Sequence, residues 1–166
     1  MNPADIIALL DLRPLPEEGG YFVETYRSTL VLPRAVVGER HEAGRSAATA
    51  IYYLLTESAW SALHRLRSDE IFHHYLGDPV EMLLLYRDGR AERRVLGKDL
   101  ADGQRPQIVV PAGVWQGSKL MSGGKWALVG TTMSPGFEFA DFELADTEVL
   151  VKQYPAEKER IEALEK

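Results

Sequence analysis

His64-Arg65-Leu66-Arg67-Ser68-Asp69-Glu70-Ile71-Phe72-His73-His74-Tyr75-Leu76-Gly77 is the stretch on which the fold turns. Ser68-Asp69 interrupts it as a turn, so it reads as two short strands, residues 61–66 and 70–76. Side chains alternate between the two faces of a strand. His64 and Leu66 therefore share one face, and Glu70, Phe72 and His74 share a face of the next strand. If both faces look into one interior, His64, Glu70 and His74 converge there. Leu66 and Phe72 then wall the space, while His73 and Tyr75 point outward.

The neighbouring sequence has the same texture. From Tyr21 onward, Tyr21, Val23 and Thr25 alternate with Phe22, Glu24 and Tyr26. Residues 48–55 are strongly apolar. Residues 80–86 and 90–96 flank Asp88-Gly89, which predicts a hairpin with a type I′ turn. Residues 108–110, 115–120 and 126–132 complete the strand set. Residues 34–45 are polar, contain Gly38 and Gly44, and read as a mobile loop. Short strands separated by Gly, Pro and Asp turns predict a mainly β sandwich or barrel of about eight to ten strands.

Helices are expected at the two ends. Asn2 is a suitable N-cap and Pro3 suits the first helical position. Ile6, Ile7, Leu9 and Leu10 supply an apolar stripe, which Pro14 and Pro16 stop before a turn at Glu17-Glu18-Gly19-Gly20. Near the other end, Pro155 starts a helical tail in which Ile161 and Leu164 form an apolar edge. One domain over residues 1–166 is expected: an N-terminal helix in 1–13, a barrel over 21–146 and a helical tail over 147–166.

The composition narrows the function. The 166 residues contain no cysteine, which removes disulfides, thiolate metal sites and a cysteine nucleophile. The start of the chain lacks a basic segment followed by a long apolar core, and no apolar run is long enough to span a bilayer. A cytoplasmic protein without a membrane partner is expected. The net charge of -6 argues against a nucleic-acid partner. Arg65 with Arg67, and Arg90 with Arg93 and Arg94, read as solvated strand faces.

The stretch from His64 to Gly77 resembles the first cupin motif, in which His-x-His is followed by Glu and, six residues later, by Gly. Leu66 stands where the second histidine is usual. Pro111-Ala112-Gly113-Val114-Trp115-Gln116 resembles the second motif, Pro-x-Gly-x-x-His, with Gln116 in place of its histidine. The segments 15–28, 68–75, 110–116 and 134–143 together resemble the fifth cupin family, which is similar in fold to the dTDP-keto-sugar epimerases. This resemblance implies a double-stranded β-helix, or jelly-roll, cupin barrel. Within that family Leu66 and Gln116 are ordinary residues, and the family carries no firmly assigned reaction.

A pocket is expected around His64, Glu70, His74 and Gln116. A histidine and a carboxylate in a partly dry cavity make a proton-transfer device, because burial and charge move both pKa values. His64, Glu70 and His74 are the catalytic candidates. The same four residues are the candidate ligands if one divalent metal is bound, with nickel, zinc, iron and manganese undistinguished. Glutamine is a poor substitute for imidazole in such a set, and no metal at all is the other expectation. Phe72, Tyr26 and Trp115 lie near the motifs and are candidates to stack on a ligand ring. Asp141 joins them through the family hallmark alone. His73 and His41 read as structural.

Two functions fit these residues. One is an isomerase or epimerase-like enzyme acting on a polar carbonyl or sugar-nucleotide metabolite, with or without a metal. The other is a small-molecule binding module without catalysis. A homodimer is expected in either case, with the strand at Tyr21 to Tyr26 contributing, because sheet edges need cover.

Overall fold

A computed structural model describes residues 1–166. Helix α1 (Pro3–Leu10) opens the chain. Asn2 and Asp5 cap it reciprocally, each side chain bonding the other's backbone N–H. The strands are β1 (Arg13–Pro14), β2 (Tyr21–Arg27), β3 (Val31–Leu32), β4 (Arg45–Ser46), β5 (Thr49–Thr56), β6 (Ser61–Arg65), β7 (Glu70–Gly77), β8 (Val80–Leu85), β9 (Ala91–Leu96), β10 (Gln107–Val110), β11 (Trp115–Leu120), β12 (Trp126–Met133) and β13 (Glu143–Leu144). A short helix, α2 (Arg34–Val37), lies between β3 and β4. Helices α3 (Thr147–Gln153) and α4 (Lys158–Glu162) close the chain.

Two antiparallel sheets face one another. One has the order β1-β2-β5-β12-β7-β10, the other β13-β6-β11-β8-β9, and β3 pairs only with β4. This is the jelly-roll barrel that the resemblance to the cupin motifs implied. The interior is a buried apolar cluster that draws Tyr53, Leu55, Phe72, Ala127 and Val129 from the first sheet and Val80, Met82, Leu84 and Leu96 from the second.

Each sheet is also covered over part of its outer face, and this explains the continuous apolar runs. Leu83 and Leu85 of β8 point away from the interior and pack under Leu150, Tyr154, Ile161 and Leu164 of the C-terminal helices. Leu54 of β5 and Leu128 of β12 pack outward under Ile6 and Leu12. A strand buried on both faces has no polar side to show, so its alternation is silent in the sequence.

Three local expectations need correction. The Asp88-Gly89 hairpin is not a type I′ turn. Gly89 has φ 88°, Asp88 has no positive φ, and the bonds Gly89 N–H to Tyr86 O and Tyr86 N–H to Arg90 O describe a type I turn closed by a glycine bulge. The loop 34–45 is tied down rather than free: it holds α2, and His41 and Arg45 are buried. The helical tail occupies the expected span from 147, but it is Asp146, capping the backbone N–H of Val149, that starts it, and Pro155 only opens the short turn between α3 and α4.

Candidate functional site

The turn at Glu17-Glu18-Gly19-Gly20 delivers the first site residue. Gly19 and Gly20 have positive φ, and a β-carbon on Gly20 would collide with the ring of Tyr53. Only glycine allows this close approach. The turn is fastened by Gly19 N–H to Leu15 O at 3.1 Å and Ala62 N–H to Glu18 O at 2.9 Å. Glu18 is thereby aimed at the barrel interior, where Ser61 Oγ donates to its Oε1 at 2.7 Å. Tyr53 donates its hydroxyl to Gly19 O at 3.0 Å.

Register supplies the rest. Gln116 of β11 lies opposite His64 of β6, so both face inward, and they are 2% and 1% exposed. Gln116 Nε2 donates to Glu70 Oε2 at 2.7 Å, linking the two sheets across the interior. Its amide oxygen is buried and has no hydrogen-bond partner. The ring of His64 stacks on Phe142 at 5.1 Å. His64 Nδ1 donates to Ala62 O at 2.8 Å, which leaves Nε2 as the nitrogen open to proton exchange, 3.9 Å from Glu18 Oε2.

Burial and charge act together on Glu70. Burial pushes its carboxyl up and the negative charge of Glu18 pushes it further; His64, Thr131 and Gln116 oppose this, and the pKa settles at about 7. The Tyr53 hydroxyl is raised well above its ordinary value, first by burial and then by Glu18. Beside these groups is a cavity of about 110 Å³. Glu18, Glu70, Tyr53 and Thr131 belong to its polar lining, and Phe22, Leu66 and Phe137 to its apolar walls. Arg27, Glu24 and Glu138 also line it. Arg27 bonds Glu24 through two nitrogens, Glu138 Oε1 at 2.8 Å and Phe137 O at 3.1 Å, strapping the segment after β12 to β2.

The structure brings His64, Glu70 and Gln116 together and leaves the other candidates elsewhere. His74 does face the interior, opposite Val129. Four residues of strand put it about 13 Å further along the barrel from Glu70, and its Nε2 bonds Asp78 O at 3.0 Å. Phe72 is buried in the central apolar cluster. Trp115 lies on the outer side of its sheet, under the guanidinium of Arg65 at 4.4 Å. Tyr26 is 54% exposed, because a bulge between Glu24 and Tyr26 reverses the alternation and turns Arg27 inward instead.

Asp141 is buried outside the cavity. Arg45 donates to its two oxygens at 2.7 Å each, and His41 Nδ1 lies 3.2 Å from Oδ2. His41 Nε2 is 3.4 Å from Ser68 Oγ. Burial raises the Asp141 pKa, but the bonds and charges of Arg45 and His41 more than offset it and hold the carboxyl below its ordinary value. This network fastens the 34–45 loop to the turn between β6 and β7.

The expected metal-ligand set does not assemble. His74 is spent on Asp78 and lies remote from Glu70, Gln116 turns its amide N–H toward Glu70, and no three His, Asp or Glu side chains converge in a metal-holding arrangement. The sequence alone shows Glu18 only as part of a turn and singles out neither it nor Tyr53 as a site residue. The signal for Glu18 was the double-glycine turn, which only fixes a direction once the barrel exists.

Comparison with known proteins agrees with this architecture. The chain is 33% identical over 132 residues to the uncharacterized protein YML079W of Saccharomyces cerevisiae, covering 75% of this chain and 66% of that protein. Protein SO0799 from Shewanella oneidensis superposes with a TM-score of 0.88 at 34% identity, covering 100% of this chain and 98% of that one. A protein from Leishmania major gives 0.89 at 30% identity, with 99% of both chains covered. Oxalate decarboxylase from Bacillus subtilis shares the fold at 16% identity, with a TM-score of 0.54 over 93% of this chain and 37% of that one; that enzyme has Mn(II) centres. No helix of the chain is long and apolar enough to cross a membrane. Residues 4–145 match the family described as Cupin superfamily (DUF985), and the chain belongs to it.

Proposed function

We propose that the cavity is an acid–base site that moves a proton next to the carbonyl of a small polar metabolite, as in an isomerisation or epimerisation. The observation that carries this reading is Glu70, poised at about pH 7 beside a second carboxylate in a walled cavity. A general base works best when its pKa lies near the working pH. Glu70 takes the proton from carbon, and the Tyr53 hydroxyl, held protonated by burial, turns from Gly19 O to donate to the carbonyl oxygen. His64 Nε2 and Glu18 exchange the second proton. Isomerisation through an enediol requires a hydroxyl next to the carbonyl, and Glu18 in the cavity lining can accept from it. A volume of about 110 Å³ is below the roughly 300–1,000 Å³ of drug-sized sites, so the reacting compound has a few carbons and is no sugar nucleotide.

Deuterium incorporation reads this step directly. In D2O, three- to five-carbon hydroxy-ketones and hydroxy-aldehydes are expected to exchange the hydrogen beside the carbonyl, followed by NMR, with a rate that rises through pH 7. The reading fails if the wild type shows only the solvent rate, or if Tyr53→Phe and Glu70→Gln exchange as fast as it does. A co-purified metabolite that stays chemically unchanged over days favours the binding module instead.

We also propose that two copies pair through the outer face of the six-stranded sheet. Val23, Tyr52, Gly130, His73 and Gln107 lie side by side across it. Tyr75 crosses Gly130, meets Tyr52 edge-on at 5.9 Å and stacks on His73 at 6.2 Å. Tyr26, Tyr52, Tyr75, Leu76 and Val109 are exposed there. Burial lowers the His73 pKa, so a neutral ring adds no charge to the face. An exposed, largely apolar face of this kind suits pairing about a two-fold axis. Sedimentation equilibrium is expected to give a dimer at micromolar concentration. Tyr75→Glu is expected to weaken it at least about thirtyfold, as for a central aromatic anchor worth about 2 kcal/mol or more. A monomeric wild type rules the interface out.

A further inference from the structure

On the other side of Leu66 from the cavity lies a groove of about 450 Å³. Four arginines line it, Arg40, Arg65, Arg67 and Arg87, from three separate stretches of chain. Read along the sequence, Arg65 and Arg67 look like a solvated strand face. The fold gathers them with Arg40 from the tied loop and Arg87 from the β8–β9 turn.

We infer that this groove binds the phosphoryl group of a small molecule. Two of the arginines are committed. Arg65 bonds both carboxylate oxygens of Glu143, at 2.7 and 2.8 Å. Arg67 bonds Glu42 and Arg40 O, each at 3.1 Å, and its Nε is 4.0 Å from Asp141. The guanidinium groups of Arg40 and Arg87 have no ion-pair or hydrogen-bond partner. Arg87 lies beside Gly113, its Nη2 3.6 Å from where a β-carbon would stand.

The acidic residues do not cancel this charge. Asp141 is neutralised by Arg45, which does not line the groove, and Glu143 is fully engaged by Arg65. A local excess of positive charge therefore persists in a chain of net charge -6. Planar guanidinium forks pair with phosphate oxygens two at a time, and the higher charge of a phosphate gains more than a carboxylate from two uncommitted arginines. The inference is independent of the chemistry in the cavity.

Amide shifts in ¹H–¹⁵N spectra at low salt and pH 7.5 test it, with inorganic phosphate and glucose 6-phosphate as the titrants. Saturable shifts at Ala112, Gly113 and Phe142 are expected. Arg87→Ala and Arg40→Ala, both at exposed positions, are each expected to weaken binding about tenfold, while Arg93→Ala, an exposed arginine elsewhere, leaves it unchanged. Tighter binding of glucose 6-phosphate assigns the site to a phosphoester, and equal affinity assigns it to free phosphate. Shifts that never saturate, or an Arg93→Ala loss equal to that of Arg87→Ala, overturn the site.

Discussion

Glu70→Gln is expected to make the protein more stable above pH 7 while removing its proton-transfer activity. In the folded state the Glu70 carboxyl titrates at about 7, against 4.5 without the fold. Between those values the native state keeps a proton that the unfolded chain has released. Stability therefore falls as pH rises through this window and levels off above it, by about 3 kcal/mol in all. Glutamine holds no charge at any pH and can still accept from Gln116 Nε2. The variant should lose the sloping stability between pH 4.5 and 7 and melt roughly 6–12 °C above wild type at pH 8. Exchange activity should fall about 10²- to 10⁴-fold, the usual worth of a general base. Calorimetry at pH 5 and pH 8 checks the first part. Parallel melting curves for the two proteins at both pH values would show that Glu70 is ionised normally, and the acid–base reading would lose its footing.

The sequence and the structure agree where short-range rules decide and part where register does. His64, Glu70 and Gln116 could be placed together because motif spacing carries the period of a strand and the position of its turn. His74 shares their face, yet face alone says nothing about distance along the strand. Tyr26 was misplaced by one bulge, at Thr25, which leaves no mark in the alternation of residues 21–26 and moves Arg27 into the wall of the cavity. Glu18 was hidden because its partners, Ser61 and Tyr53, are 43 and 35 residues away. The arginine groove was hidden for the same reason: its charges are dispersed in sequence and concentrated only by folding. The continuous apolar runs of β5 and β8 did announce strands, but not that helices would cover their outer faces.

The pair Arg45–Asp141 fastens the 34–45 loop beside the groove, and it carries the largest expected stability effect. Both side chains are almost wholly inaccessible, 3% and 1% exposed, and they meet through two bonds of 2.7 Å. Removing one partner strands the other charge in a dry interior, which costs about 3–5 kcal/mol. Arg45→Leu and Asp141→Leu are each expected to lose that much in urea unfolding, with loop 34–44 newly open to proteolysis because His41 and Ser68 lose their anchor. The double variant Arg45→Leu/Asp141→Leu should be markedly more stable than either single one, since no uncompensated charge remains and two apolar side chains can fill the space. Additive losses in the double variant would mean the two residues act separately. The acid side follows from the sign of the shift. Asp141 is held below its ordinary pKa of 3.8, so its contribution is complete above that value and disappears as pH falls through the lower folded value. Acid should therefore release the 34–45 loop, and with it the Arg67 and Arg40 side of the groove, in wild type but add nothing further in the double variant.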